Sequence, residues 1–213
     1  MDSTRLDSLY QDCAVSLSAS YRKVILLFDA GKTADAAKEF KTSFVPEVKK
    51  FYSESAETAH QRYLKDGNWN AEIKDLYLQT QKTADFLDKG NVKTSRTGLE
   101  SLREFFYKLH TDNKINFASD AIYAFKKQLD RVSLNGSLTK GEIAALGSLK
   151  SGVLSAAPSV RIKAEKAQFD AKAKAWSEEV NKILSLPAAD TKQVKKLKEI
   201  TDGFYIAYGM DFE

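Results

Sequence analysis

An all-α fold, an up-and-down bundle of about seven or eight helices with an internally repeated helical hairpin, is the expectation for this 213-residue chain. Three observations predict it. Only three prolines interrupt a sequence rich in Ala, Lys, Glu and Leu, residues that favour helix. Apolar residues recur at alternating spacings of three and four, the period of a helix with one core face. Finally, the second half repeats part of the first at an offset of 97 to 98 residues, which suggests one helix-loop-helix unit used twice. Phe106-Tyr107-Lys108-Leu109-His110 answers to Phe204-Tyr205-Ile206-Ala207-Tyr208, Leu99 and Leu102 to Leu197 and Ile200, and Phe86-Leu87 to Ile183-Leu184. Downstream, Asn116-Phe117 is echoed by Asp211-Phe212 across a three-residue gap.

The first helix is expected from about Ser3 to Ala30, closed by Asp29-Ala30-Gly31, where glycine takes the left-handed cap conformation at no steric cost. A second spans about Thr33 to Lys65. Pro46 should kink or split it, since proline removes a hydrogen bond and crowds the preceding turn. The third covers about Asn70 to Lys89, with Ile73, Tyr77, Thr80, Ala84 and Leu87 on one side and Gly90-Asn91 at its end. Thr97 and Glu100 have capping-box spacing, so a fourth helix is expected from there to His110. A fifth, about Ser119 to Val132, turns Ile122, Phe125 and Leu129 inward.

Residues 133–159 hold four of the ten glycines: Gly136, Gly141, Gly147 and Gly152. Thr139 and Glu142 predict a helix of about ten residues there, with Ile143, Leu146 and Val153 on one face. Each helical glycine weakens it by about 1 kcal/mol, so the segment needs packing to be stable. Further on, Phe169, Ala173, Trp176, Val180 and Ile183 make one continuous core stripe, and Asp190 caps a last helix that ends near Tyr208. In this reading residues 1–213 form one elongated domain, or halves 1–132 and 160–213 joined by a Gly-rich crossover, 133–159, which serves as a connection or a docking element.

Charge and composition narrow the function. The 33 basic and 29 acidic residues leave a net charge of +4, mostly alternating in sign along helices, which argues against nucleic acid as a partner. No apolar run approaches the roughly 18 residues of a membrane span. Met1-Asp2-Ser3-Thr4 lacks the basic and apolar regions of a signal peptide, as expected of a soluble cytoplasmic chain or an exported one whose signal has been removed. One cysteine, Cys13, permits no internal disulfide and stands mid-helix without a cation near it in sequence, the setting of a small core residue.

Catalytic motifs are sparse. No nucleophile elbow, phosphate-cradling glycine loop, dinucleotide fingerprint or covalent haem motif occurs, and no cofactor is expected. Glu57 and His60 form a Glu-x-x-His element, which places carboxylate and imidazole on one helix face as in di-iron bundles. Such centres need two of these elements, and the other histidine, His110, has Tyr107 at that spacing. A metal-binding bundle centred on Glu57 and His60 is therefore the alternative reading. His110 itself is matched by Tyr208 in the repeat, so the position suits a flat, partly polar ring whose tip reaches water or a carbonyl at a helix end. The leading expectation is a non-enzymatic binding or interaction protein whose partner is a protein or small ligand. Its groove would lie at the helix ends among Phe106, Tyr107, His110, Phe204, Tyr205 and Tyr208, where rings either close off the bundle or line a cleft.

Overall fold

The computed structural model describes residues 3–55, 63 and 66–212, with side chains from Tyr10 onward. The described residues form an all-α helical bundle without strands. It comprises two compact units: residues 1–115 with 212–213, and residues 116–211.

In unit 1, α1 (Ser3–Asp29) buries Cys13, Ala14, Leu17, Tyr21, Val24, Ile25 and Phe28. Its end is the predicted glycine turn: Gly31 has φ of 73°, its N–H meets the Phe28 carbonyl at 3.0 Å, and the Lys32 N–H meets that of Leu27 at 2.9 Å. The Pro46 region departs from a simple kink. Helix α2 (Thr33–Glu39) runs through a π-turn (Phe40–Phe44) into α3 (Val45–Ser55). The widened turn lies just ahead of the proline, where the missing N–H and the crowding of its ring loosen the ladder.

Helix α4 (Trp69–Asp88) buries Trp69, Ile73, Leu76, Thr80, Thr83, Ala84 and Leu87. Helix α5 (Val92–Asp112) begins five residues before the expected Thr97. Asn91 caps it, its side chain accepting the Thr94 N–H at 3.1 Å, while Thr97 lies inside the helix and donates its hydroxyl to the Lys93 carbonyl. The cap nearest the Gly90 turn thus prevails. At the α4–α5 crossing a Cβ on Gly98 would stand 2.8 Å from Thr83 Oγ1, so only glycine permits this approach without displacement.

In unit 2, α6 (Ala118–Val132) turns Ile122, Phe125 and Leu129 inward as expected. Helix α7 (Lys140–Ser155) carries the predicted Thr139–Glu142 capping box but runs for 16 residues. Ile143, Leu146 and Val153 are buried, and α7 packs on α6 and on α9 (Lys166–Leu184), which supplies the support its glycines require. The segment 133–159 therefore lies inside unit 2. Short α8 (Val160–Ala164) starts from Ser159, whose hydroxyl accepts the Ile162 N–H at 3.1 Å.

Along α9, Ala173, Trp176, Val180 and Ile183 are buried. Phe169, expected to be largely buried with them, is half-buried: it stands in the first turn of α9, with the Phe204 and Tyr208 rings at 5.7 and 5.1 Å. Helix α10 (Thr191–Phe204) begins with a reciprocal Asp190–Gln193 capping box and passes into a second π-turn (Tyr205–Gly209). Its core face is Val194, Leu197, Thr201 and Phe204, with Ile200 half-buried beside it. Trp176 Nε1 donates to Thr201 Oγ1 at 3.2 Å, which satisfies the polar end of an otherwise buried ring.

Candidate functional site

The six rings expected around a groove are divided between the units. In unit 1, Phe106 is buried and stacks on Phe212 with centroids 4.1 Å apart, Tyr107 is half-buried, and His110 is fully buried with the Tyr63 ring 6.3 Å away at 18°. The His110 ring is thus sealed from solvent, which excludes the first of the two partners, water or a carbonyl, expected for its tip. Tyr63 also stacks on Trp69, and its hydroxyl lies 2.6 Å from that of Tyr10, so this end of unit 1 is a continuous layer of rings. In unit 2, Phe204 is buried between Trp176 and Phe169, Tyr205 lies 6.2 Å from Tyr123, and Tyr208 is buried under the Arg161 guanidinium at 4.8 Å.

Arg161 organises the end of that unit. Its Nε and Nη2 donate to the buried Asp211 carboxylate at 3.1 to 3.2 Å, Nη2 also reaches the Ala207 carbonyl, and Ser159 Oγ donates to Asp211 Oδ2 at 3.1 Å. A paired, hydrogen-bonded buried carboxylate of this kind ties chain segments together. Burial, and then the nearby Glu165 carboxylate, raise the Tyr208 hydroxyl above its usual range.

An open cleft lies between α4 and α5. It has a volume of about 410 Å3 and is lined by Glu72, Asp75 and Gln79 of α4 and by Ser101, Glu104, Phe105, Lys108, Leu109 and Asp112 of α5. Four of these side chains are acidic and one is basic, while half-buried Phe105 supplies apolar surface and Leu109 lies buried at the cleft's base. At its end, burial above all, and then the charge of Asp66 and its hydrogen bond, push the Glu72 carboxyl up to about 7; Asp112 and Asp75 add to the effect. Asp66 moves the other way. Burial disfavours its charge, but hydrogen bonds from Asn113 Nδ2 at 2.8 Å and the Asn68 N–H at 2.9 Å hold it below its ordinary value. Near neutral pH Glu72 is therefore about half protonated beside an ionised Asp66. A concave surface, convergent polar groups and a shifted carboxyl together mark a candidate binding site.

None of the cleft's lining residues was among the expected site residues. The available signal was the polar faces of two helices joined by a short turn: Glu72, Asp75 and Gln79 on one, at spacings of three and four, and Glu104, Lys108 and Asp112 on the other, each four apart. Glu57 and His60 lie outside the described residues. Among the described residues no group of three or more His, Cys, Asp and Glu side chains is arranged to hold a metal ion. The Cys13 thiol is buried and pushed up to about 11 by that burial, with Lys50 of α3 opposing it, so it stays protonated and inert. No helix among the described residues is long and apolar enough to cross a membrane. Comparison with known proteins finds no matching family, no matching curated protein and no matching solved structure.

Proposed function

We propose that this chain is a non-enzymatic helical-bundle binding protein and that the α4–α5 cleft receives an organic cation, a primary amine or guanidinium group carried on a short hydrocarbon. The observation that carries this reading is the cleft's composition: Glu72, Asp75, Glu104 and Asp112 line it together with the half-buried Phe105 ring, and Lys108 is the one basic lining residue. Carboxylates there attract a cation, and the apolar surface takes its methylene groups. Calorimetric titration with 1,4-diaminobutane tests it. Binding is expected to strengthen from pH 5.5 to pH 8, as Glu72 loses its proton, and to weaken about tenfold in Glu104→Gln/Asp112→Asn, the effect of losing roughly 1.4 kcal/mol of attraction. Absence of binding at both pH values, or binding indifferent to the double substitution, overturns the proposal.

We also infer that α4–α5 and α9–α10 are copies of one hairpin. Their boundaries support it, since α4 spans Trp69–Asp88 and α9 Lys166–Leu184, while α5 begins at Val92 and α10 at Thr191. So do their core faces: Leu99, Arg103, Phe106 and His110 are buried on α5, as are the residues 98 positions later, Leu197, Thr201, Phe204 and Tyr208.

A further inference from the structure

Phe212 is a residue of unit 1 that lies far along the chain from the rest of that unit, and it is wholly buried there. Its ring stacks on Phe106 at 4.1 Å and 14°, lies 5.0 Å from Tyr21 and meets Phe44 edge-on at 6.3 Å. Its backbone N–H donates to Ser18 Oγ at 2.8 Å. The seat is thus built by α1, the first π-turn and α5.

The walls of this seat are held by bonds that do not involve Phe212. The Tyr21 hydroxyl donates to the Leu99 carbonyl at 2.9 Å, Phe44 stacks on Phe40 at 4.9 Å, and Phe106 is braced edge-to-face by Phe105 at 5.4 Å. Ser18 donates its own proton to the Ala14 carbonyl at 2.6 Å, which leaves its oxygen aimed as an acceptor. Walls braced in this way retain part of their support when the occupant leaves, and an apolar slot with one oriented acceptor loses little entropy on filling. We propose that unit 1 carries a binding slot for a phenylalanine-bearing peptide segment, formed by Tyr21, Phe44, Phe106 and Ser18, and filled in cis by the chain's own Phe212. A peptide is the fitting ligand class because the slot engages one ring and the amide N–H of the same residue. The cis segment competes at high effective concentration, so an external segment gains access only when residue 212 withdraws.

The test uses the full chain carrying Phe212→Ala and two N-acetylated tetrapeptides, Met-Asp-Phe-Glu and Met-Asp-Ala-Glu. The variant should bind the first at least about tenfold more tightly than the second and more tightly than the unsubstituted chain does, with a rise in melting temperature. Adding Ser18→Ala to the variant should weaken that binding severalfold. Should Phe212→Ala unfold the chain, the phenylalanine peptide is expected to restore the helical spectrum, as ligands restore cavity variants. Equal binding of the two peptides, equal binding by the unsubstituted chain, or an unfolded variant that the peptide does not rescue overturns the proposal.

Discussion

At the scale of single residues, Glu72 shows how neighbours distant in sequence decide a side chain's chemistry. Its carboxyl rises from an ordinary 4.5 to about 7 because folding buries it beside Asp66, with Asp75 and Asp112 close by. Between those values the folded chain holds a proton that the unfolded chain has already released. Stability contributed by this group is therefore full below about pH 4.5 and is lost as pH rises to about 7, since the folded state then binds more protons than the unfolded one. Urea unfolding at pH 5 and pH 8 measures it. The unsubstituted chain should lose more stability between the two than Glu72→Gln does; equal losses would show that Glu72 is solvated like an ordinary surface carboxylate.

At the scale of elements, helix caps and the first π-turn follow local chemistry, whereas the second π-turn follows a tertiary demand. The Thr139–Glu142 and Asp190–Gln193 boxes are complete within four residues, so each is readable without the rest of the chain. The second π-turn has no proline to announce it. A Cβ at Gly209 would overlap the Tyr205 ring and stand 2.9 Å from Ile122 Cγ2, so the turn is wound against α6 at a spacing that only glycine meets without displacement. Helix α9 sits between these cases, for its stripe is periodic but its depth varies. Trp176 is 1 % exposed, lies edge-on to Phe125 at 4.8 Å and is bonded to Thr201, whereas Phe169 is half-buried. Trp176→Ala should therefore cost about 3 to 5 kcal/mol in chemical denaturation, the range for a large ring removed from a packed interior. A loss below about 1 kcal/mol would mean that the ring is not part of the core.

At the scale of the whole molecule, the inferred duplication makes a demand on two positions that carry different rings. His110 is sealed beneath Tyr63, and Tyr208 is sealed beneath Arg161. If both descend from one hairpin position, His110→Tyr should keep the helical spectrum and cooperative unfolding while costing about 1 to 3 kcal/mol, the usual penalty of added volume in a packed site. Circular dichroism combined with urea denaturation checks this. Loss of the folded state would count against equivalence of the two positions, and hence against the duplication.

The all-α class, the helix caps and most core faces follow from the sequence by itself, because each depends on residues within one or two turns of one another: Gly31 after α1, Asp190 before α10, Ile122, Phe125 and Leu129 along α6. Some local readings had competitors, and the nearer one won, as when Asn91 capped α5 in place of Thr97. The candidate cleft was scarcely legible, since its acidity arises only where two polar helix faces meet, and the Asp66–Asn113 bond at its end joins residues 47 positions apart. The seat of Phe212 was not legible at all. Ser18 receives its N–H across 194 positions, and no periodicity or propensity reaches that far; only the packing of the folded chain selects which ring fills which slot.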